Sequence, residues 1–518
     1  MAPSIYLVNP AADFPTYFGA EVVEAWGLPP TTTIADLAVT TVAAMVPADF
    51  ELRLCDEHLT PVDFDSAADF VAITGKVSQR GRMQAIAREF RRRGRRVILG
   101  GPFATLCPAI AAADCDVLVR GEIEEIADEL FSDLRTGSWK DEYVGTRPSL
   151  DLCPPPRWDL YPHDRALLGA VQTSRGCPFE CEFCDVIQYL GRRQRHKPIA
   201  DVLRELDELY RLGFRSAFLA DDNFTAARQR AKELLVALRE WNDRQEQGKF
   251  TFSIQLSIDT AKDEELVRLC AEAGLIQLFV GIETPNEKSL REAKKPQNLG
   301  VNLAELVRKF YEYGLTVIAG MIVGFDHDGA DIFARQYEFL TAAALPVVTL
   351  GALVAPAATP LHDRLRADGR LRSDGSEVAA MPWSTNIIPA RMTRYDLLRG
   401  IRWLVNKLYA PAAFADRVLR YIERVGHRRD PSFRSLGAKP REAPRPVDQD
   451  GRELVKRIST LGPEESKMAM TILGALTRKP QVLDLVEPAL LHYAQIRFLY
   501  ERGGLWDPPL AGKAEPFA

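Results

Sequence analysis

Cysteine is scarce in this chain, with eight among 518 residues. That argues against a disulfide framework and fits a reducing cytoplasm. No run of about 18 apolar residues is present, so no membrane-spanning helix is expected. The N-terminus, MAPSIYLVNPAADFP, has no basic segment followed by a long apolar run and does not read as a signal peptide. Positive charge is not in excess either. The 66 Lys and Arg are outnumbered by 71 Asp and Glu, for a net charge of −5, which gives no general reason to expect nucleic acid as a partner. The basic run RRRGRR (91–96) reads as a solvated helix end with Gly94 just past the last turn. What remains is an ordinary globular composition, 46% hydrophobic and 26% charged. The chain is too long for one core, so about two to four domains are expected.

The first domain spans residues 1–146. Apolar strands at 4–8, 50–55, 69–74, 96–100 and 116–119 alternate with helices, which predicts an α/β, doubly wound, Rossmann-like parallel sheet. Ligands of such sheets sit at the carboxyl ends of the strands. Those ends carry TGK with Thr74, GGP with Gly100, Gly101 and Pro102, and RGE with Gly121. A proline-bearing connector, 147–167, leads out of this domain.

From 168 to 365 a second rhythm appears. Three times a helix ends in glycine (Gly213, Gly274, Gly314), a buried strand follows, and an acidic cluster closes it. With the strands 170–174, 250–256 and 347–354 this makes six strand–helix units, a partial (β/α)6 barrel. The working residues of barrels sit at the C-terminal strand ends. Here those ends carry the cysteine-rich loop, Asp221 and Asp222, Ser257, Glu283 and Asp326. Residues 366–518 read as mostly helical, with helices near 395–409, 414–426, 452–477 and 482–500 and an irregular surface stretch around 427–451.

Five cysteines (Cys55, Cys107, Cys115, Cys153, Cys270) are scattered and read as packing residues. The other three cluster in SRGCPFECEFCD as Cys177-x3-Cys181-x2-Cys184. A closed zinc site wants four ligands, and His196 is too far along to supply one. Three thiolates on a cubane leave one iron without a protein ligand, free to bind a small chelating molecule and pass it an electron.

This spacing, after the first strand of a partial barrel, resembles the radical S-adenosylmethionine (SAM) superfamily. The doubly wound domain ahead of it narrows the resemblance to the cobalamin-dependent (class B) members. VTTVAAMVP, RGCPFECEFCD, ADDNF, GIETPNEKSL, KKPQN and VGFD are similar to the hopanoid C-2 methylase group. The resemblance implies a 4Fe–4S cluster on Cys177, Cys181 and Cys184, SAM on its open iron, and cobalamin on the first domain. Phe183 would lie beside the adenine. Asp221 and Asp222 would approach the SAM amino group, Glu283 its ribose or amino group, and Gly320 and Ile322 of GMIVG its adenine. Two plainer readings stand beside these: Asp222 as a helix N-cap and Glu283 as half of a buried ion pair. No Asp-x-His-x-x-Gly is present, so no protein histidine is expected on cobalt; His58 reads as a satisfied strand-end residue.

The implied activity is a radical methyltransferase. A 5′-deoxyadenosyl radical would take hydrogen from an unactivated carbon of a small-molecule or lipid-like substrate, which then receives a methyl group by way of methylcobalamin. A reductant such as flavodoxin or ferredoxin is the implied partner. Two alternatives use the same motifs: a non-methylating rearrangement, oxidation or coupling, and a cobalamin or redox sensor.

Overall fold

The computed structural model describes residues 2–372, 381–428 and 451–517. Its N-terminal sheet contains β1 (Ser4–Asn9), β3 (Glu51–Asp56), β4 (Phe70–Thr74), β5 (Arg96–Gly100), β6 (Val117–Arg120) and β7 (Glu142–Val144). All pairs are parallel, in the order β3-β1-β4-β5-β6-β7. The order reverses between β1 and β4, which places a crevice at their carboxyl ends. The helix Arg80–Arg92 covers one face with Met83, Ile86, Ala87 and Phe90; the helix Ala127–Thr136 covers the other with Leu130, Phe131 and Leu134. Gly94 follows the first of these with φ 77°, so RRRGRR is a helix end as expected. The three-residue β7 was not anticipated; its single buried residue, Tyr143, offers no alternation to read.

The second sheet holds the six expected parallel strands: β8 (Ala166–Val171), β11 (Ser216–Leu219), β12 (Thr251–Gln255), β13 (Leu275–Glu283), β14 (Thr316–Val323) and β15 (Val347–Ala352). β8 begins before the expected 170–174 and ends at Val171, so Thr173 and Ser174 lie past it. Between β8 and β11, β9 (Ser174–Arg175) and β10 (Arg195–His196) form a small antiparallel pair around the cysteine loop. Gly213, Gly274 and Gly314 have φ of 92°, 97° and 81°, the left-handed turn that ends each helix before its strand. Along β13 the residues beneath the helices, Leu278, Val280 and Ile282, are buried, while Phe279 and Gly281 on the concave face are half-buried. β11 and β15 alternate likewise, with Phe218, Thr349 and Gly351 half-buried. The curl therefore encloses an accessible lumen.

Both edges of this sheet are finished by distant chain. On one side β2 (Thr32–Ile34), from the N-terminal segment, pairs in parallel with β8. On the other, two tyrosines take the place of a strand. Tyr409 Oη accepts from Val348 N (2.9 Å) and donates to Val348 O (2.7 Å); Tyr17 Oη does the same for Leu350 (3.2 and 2.6 Å). Each phenol satisfies the outward N–H and C=O of one residue, which closes an edge that would otherwise invite pairing. The helices Arg394–Tyr409, Pro411–Arg424 and Leu483–Arg502 pack around this edge. The expected 452–477 helix is two, Gly451–Ser459 and Pro463–Leu476, because Gly462 and Pro463 interrupt it. The irregular stretch around 427–451 lies almost wholly outside the described residues.

Replacing Tyr409 by Phe keeps the ring but leaves both Val348 groups unpaired in a buried setting. It is expected to cost about 1–3 kcal/mol, read as a lower urea midpoint at unchanged m-value.

Candidate active site at the mouth of the half-barrel

The cysteine loop leaves β9 through Gly176 (φ 92°), where an added Cβ would come within 2.7 Å of Arg193 O. Two carboxylates at the end of β11 hold it. Buried Asp221 accepts from Thr173 N (2.7 Å), Ser174 N (2.9 Å), Ser174 Oγ (2.9 Å) and Thr173 Oγ1. All its acceptor capacity is spent on the stretch before the cysteines. Asp222 Oδ2 accepts from Gly176 N (2.8 Å), and burial pushes its carboxyl up to about 6. It caps no helix, since the next one begins at Arg228. Further along, Glu182 is gripped from three sides. Its N–H donates to Ala293 O (3.1 Å), its C=O accepts from Leu361 N (3.1 Å), and its carboxylate pairs with Arg364 (2.7 Å). Arg364 also reaches Asp326 (2.8 Å), tying the end of β14 into the same network.

Burial raises all three thiols, Cys184 to about 12. Among the described residues, no three His, Cys, Asp or Glu side chains converge to suit a single metal ion. A cubane asks something different, because each thiolate takes its own iron. Amides also point at the thiols. Asn223 neighbours Cys177 and donates to Ser257 Oγ (2.7 Å), and Gln297 neighbours Cys181. The buried Asn223 Oδ1 and Gln297 Oε1 have no protein partner, as expected of groups that face a ligand.

Glu283 occupies a β-bulge with φ 64°, rare for a side-chain-bearing residue. Its carboxylate is paired with buried Lys295. Burial opposes charge on Lys295, but Glu283 and Cys181 outweigh it and raise its pKa. Gly281 makes room for this pair: an added Cβ would sit 2.6 Å from Lys295 Nζ. KKPQN thus acquires a physical meaning. Lys295 holds Glu283, Gln297 faces Cys181, and Asn298 Nδ2 donates to Gly281 O (3.1 Å) and Ile282 O (3.0 Å). Sequence reasoning missed all three, though the motif was visible. Phe183 and Ile322 pack on one apolar cluster with Phe325, Leu353 and Leu361, and the Phe183 and Phe325 rings lie 6.2 Å apart. Gly320 stands over Phe279, whose Cζ would be 3.0 Å from an added Cβ.

The first domain meets this mouth through a buried ionic latch. Arg175, just before the cysteines, pairs with Glu122 (2.6 Å) and Glu124 (2.6 Å), and Arg195 pairs with Glu122 (2.5 Å). Cys153 donates its S–H to Glu124 (3.1 Å), so this cysteine is more than packing. Next to the latch lies a cavity of about 370 Å³ lined by Thr105, Gly121, Gly145, Arg147 and Tyr189, among others. Tyr189 comes from the short helix after Cys184, which packs on the helix Gly101–Leu106. Of the strand-end residues named from sequence, Gly121 lines this cavity, and Gly101 and Pro102 begin the helix that brings Thr105 to it. Thr74 Oγ1 lies 2.7 Å from a Cβ added at Gly101, and Gly121 (φ 74°) closes on Gly145. Tight turns account for Gly101 and Gly121, whereas Gly100 has looser surroundings. His58 is satisfied on both sides: Nδ1 on Asp56 (2.9 Å) and Nε2 on Ala12 N (3.3 Å).

The comparisons agree with this geometry. The radical SAM superfamily matches residues 171–340, and a domain of unknown function (DUF4070) matches 359–493. The chain is 36% identical over 427 residues to an uncharacterized methyltransferase of Synechocystis, covering 80% of this chain and 77% of that one. It is 34% identical over 345 residues to the hopanoid C-2 methylase of Rhodopseudomonas palustris, covering 64% of each. Among solved structures, the cobalamin-dependent radical enzyme OxsB, with aqua-cobalamin and SAM bound, has a similar fold (TM-score 0.61, 14% identity, 97% of this chain and 80% of that one). So does the methyltransferase TsrM of Kitasatospora setae, with cobalamin and a 4Fe–4S cluster bound (TM-score 0.54, 18% identity, 71% and 75%). Fold and site define a radical SAM enzyme with a doubly wound domain in front. More particularly, the chain belongs to the radical SAM methyltransferases. Among the described residues no helix is long and apolar enough to cross a membrane.

Removing Glu122 leaves Arg195 without a carboxylate in a buried site and Arg175 with Glu124 alone. Glu122→Ala is expected to cost about 3–5 kcal/mol in a chemical melt, and Glu122→Gln less because it still accepts a hydrogen bond.

Proposed function

We propose that this enzyme transfers a methyl group to an unactivated carbon of a lipid-like substrate by radical chemistry. The observation that carries the reading is a loop of three cysteines, pinned by Asp221, Asp222 and Glu182, with unpartnered amide oxygens on Asn223 and Gln297 beside it. The donor set fits a 4Fe–4S cluster on Cys177, Cys181 and Cys184 that leaves one iron for SAM. When bound, the cluster and SAM supply a 5′-deoxyadenosyl radical, and cobalamin supplies a transferable methyl group.

The chain's own residues bind and orient. Asp222, with one oxygen on Gly176 N, and the Glu283–Lys295 pair supply opposite charges at the strand ends, suited to the ammonium, carboxylate and hydroxyls of SAM. Phe183, Ile322 and Gly320 supply the apolar bed for its adenine. Asp221 and Ser257 act one step back, on the loop and on Asn223. The ends of β4, β5 and β6, with Thr74, Gly100, Gly101, Pro102 and Gly121, form the face for cobalamin, and the Glu122 latch sets its distance from the cysteine loop. Both ring nitrogens of His58 are engaged, so it is not assigned to cobalt. Apolar packing around the mouth excludes water that would quench radicals. The work belongs in a reducing cytoplasm, with a low-potential protein donor such as flavodoxin or ferredoxin. The hopanoid relative supports a polycyclic lipid as substrate.

Anaerobically reconstituted enzyme with SAM, reductant and a hopanoid is expected to release deoxyadenosine and S-adenosylhomocysteine in near-equal amounts, and Cys184→Ala neither. Deoxyadenosine without the second product would replace methylation by a rearrangement, oxidation or coupling. Neither product from the wild type would favour a sensor.

A further inference from the structure

The lumen carries a second constellation away from the cysteine loop, built from three distant segments. Phe18, on the N-terminal segment, sets its ring edge-on to Phe279 of β13 (centroids 5.6 Å) and to His492 of the helix Leu483–Arg502 (6.0 Å). Phe18 is 38% exposed although its backbone is held firmly. The preceding Tyr17 is fixed to Leu350 and to Tyr500 (3.0 Å), while Gln495 accepts from Val22 N (3.1 Å) and donates to Thr16 O (2.8 Å). The phenyl face is thus accessible and preorganised. Gly351, on the concave face of β15, has nothing within 4 Å of an added Cβ, so space remains on that side.

His492 differs from its apolar neighbours. Its Nδ1 lies 2.7 Å from Pro488 O. A carbonyl only accepts, so Nδ1 carries the proton and Nε2 is left as an acceptor. Burial lowers its pKa, which keeps the ring neutral. Among the described residues no group hydrogen-bonds to Nε2, nor is it a sealed orphan within the protein. In the other direction, Phe279 lies against Gly320, and Gly281 lies against the Glu283–Lys295 pair. Because Gly281 and Gly320 are in register, neither places a side chain between the Phe279 ring and the pair assigned above to SAM.

We propose that Phe18, Phe279 and His492 form the substrate's seat, and that His492 Nε2 receives the hydrogen bond of a lone hydroxyl or amine on a rigid, otherwise apolar ring skeleton. The wall is aromatic and fixed, which favours a rigid apolar body over a flexible polar one. Among these three side chains the one acceptor is His492 Nε2, and it discriminates by the donor it finds. The seat rests on the methyltransferase reading only for what happens to the molecule once bound.

The test is titration of the full chain, by calorimetry in mild detergent, with androstanol and with its deoxy counterpart androstane. The wild type is expected to prefer the alcohol by about fivefold to tenfold. His492→Phe should erase that preference while retaining the hydrocarbon, and His492→Gln, which keeps an acceptor, should retain part of it. Phe18→Ala, on an accessible ring, should weaken both probes by about tenfold and covers the case in which His492→Phe does not fold. The proposal is overturned if the wild type binds neither probe, if the preference survives His492→Phe, or if Phe18→Ala changes nothing. Neither titration involves SAM cleavage. A chain that binds as described yet makes no deoxyadenosine would sink the radical reading and leave this seat standing.

Discussion

The proposed use of three side chains, with one corner of a cluster left to a small molecule, requires that the loop bearing them not collapse, and the restraint comes from buried carboxylates. Asp221 clamps the approach to the loop, Asp222 its first turn, and Glu182 its middle. Each accepts backbone or guanidinium hydrogen bonds that would be costly to leave unmade in a buried setting. The scaffold follows from that need. β11 ends where it does to present two adjacent aspartates, and the segment after β15 sends Arg364 back to reach Glu182. Two of the acidic residues that sequence alone offers as SAM contacts are thus partly or wholly occupied with the protein itself.

The same use of buried charge joins the domains. Glu122 and Glu124 leave β6 and meet Arg175 and Arg195 on either side of the cysteines. Such a network is a poor source of net stability but a good fixer of relative position. The proposed transfer between ligands of the two domains would need a fixed distance more than a large interface.

Much of the fold was legible because it rests on local periodicity. Glycine after each helix, a buried strand and an acidic end recur at regular spacing, and the cysteine trio needs no partner to be seen. What was hidden depends on contacts between residues far apart in sequence. Tyr17 and Leu350 are 333 positions apart and Arg195 and Glu122 are 73 apart, and no local pattern links either pair. β2 and β7 are three residues each, too short to alternate. Glu283 was visible as a candidate, but whether it faced a ligand or a lysine depended on KKPQN folding back, and two adjacent lysines gave no means of choosing Lys295.

The N-terminal segment supplies β2 to one margin of the half-barrel and Tyr17 to the other. Before the last strand of the second sheet is made, the first forty residues must already be available to border it. The two globules are therefore interlaced rather than strung like beads. Severing the connector at 147–167 would give no self-sufficient catalytic fragment, only a sheet that has lost β2 from one margin and Tyr17 from the other, where Tyr409 alone would remain.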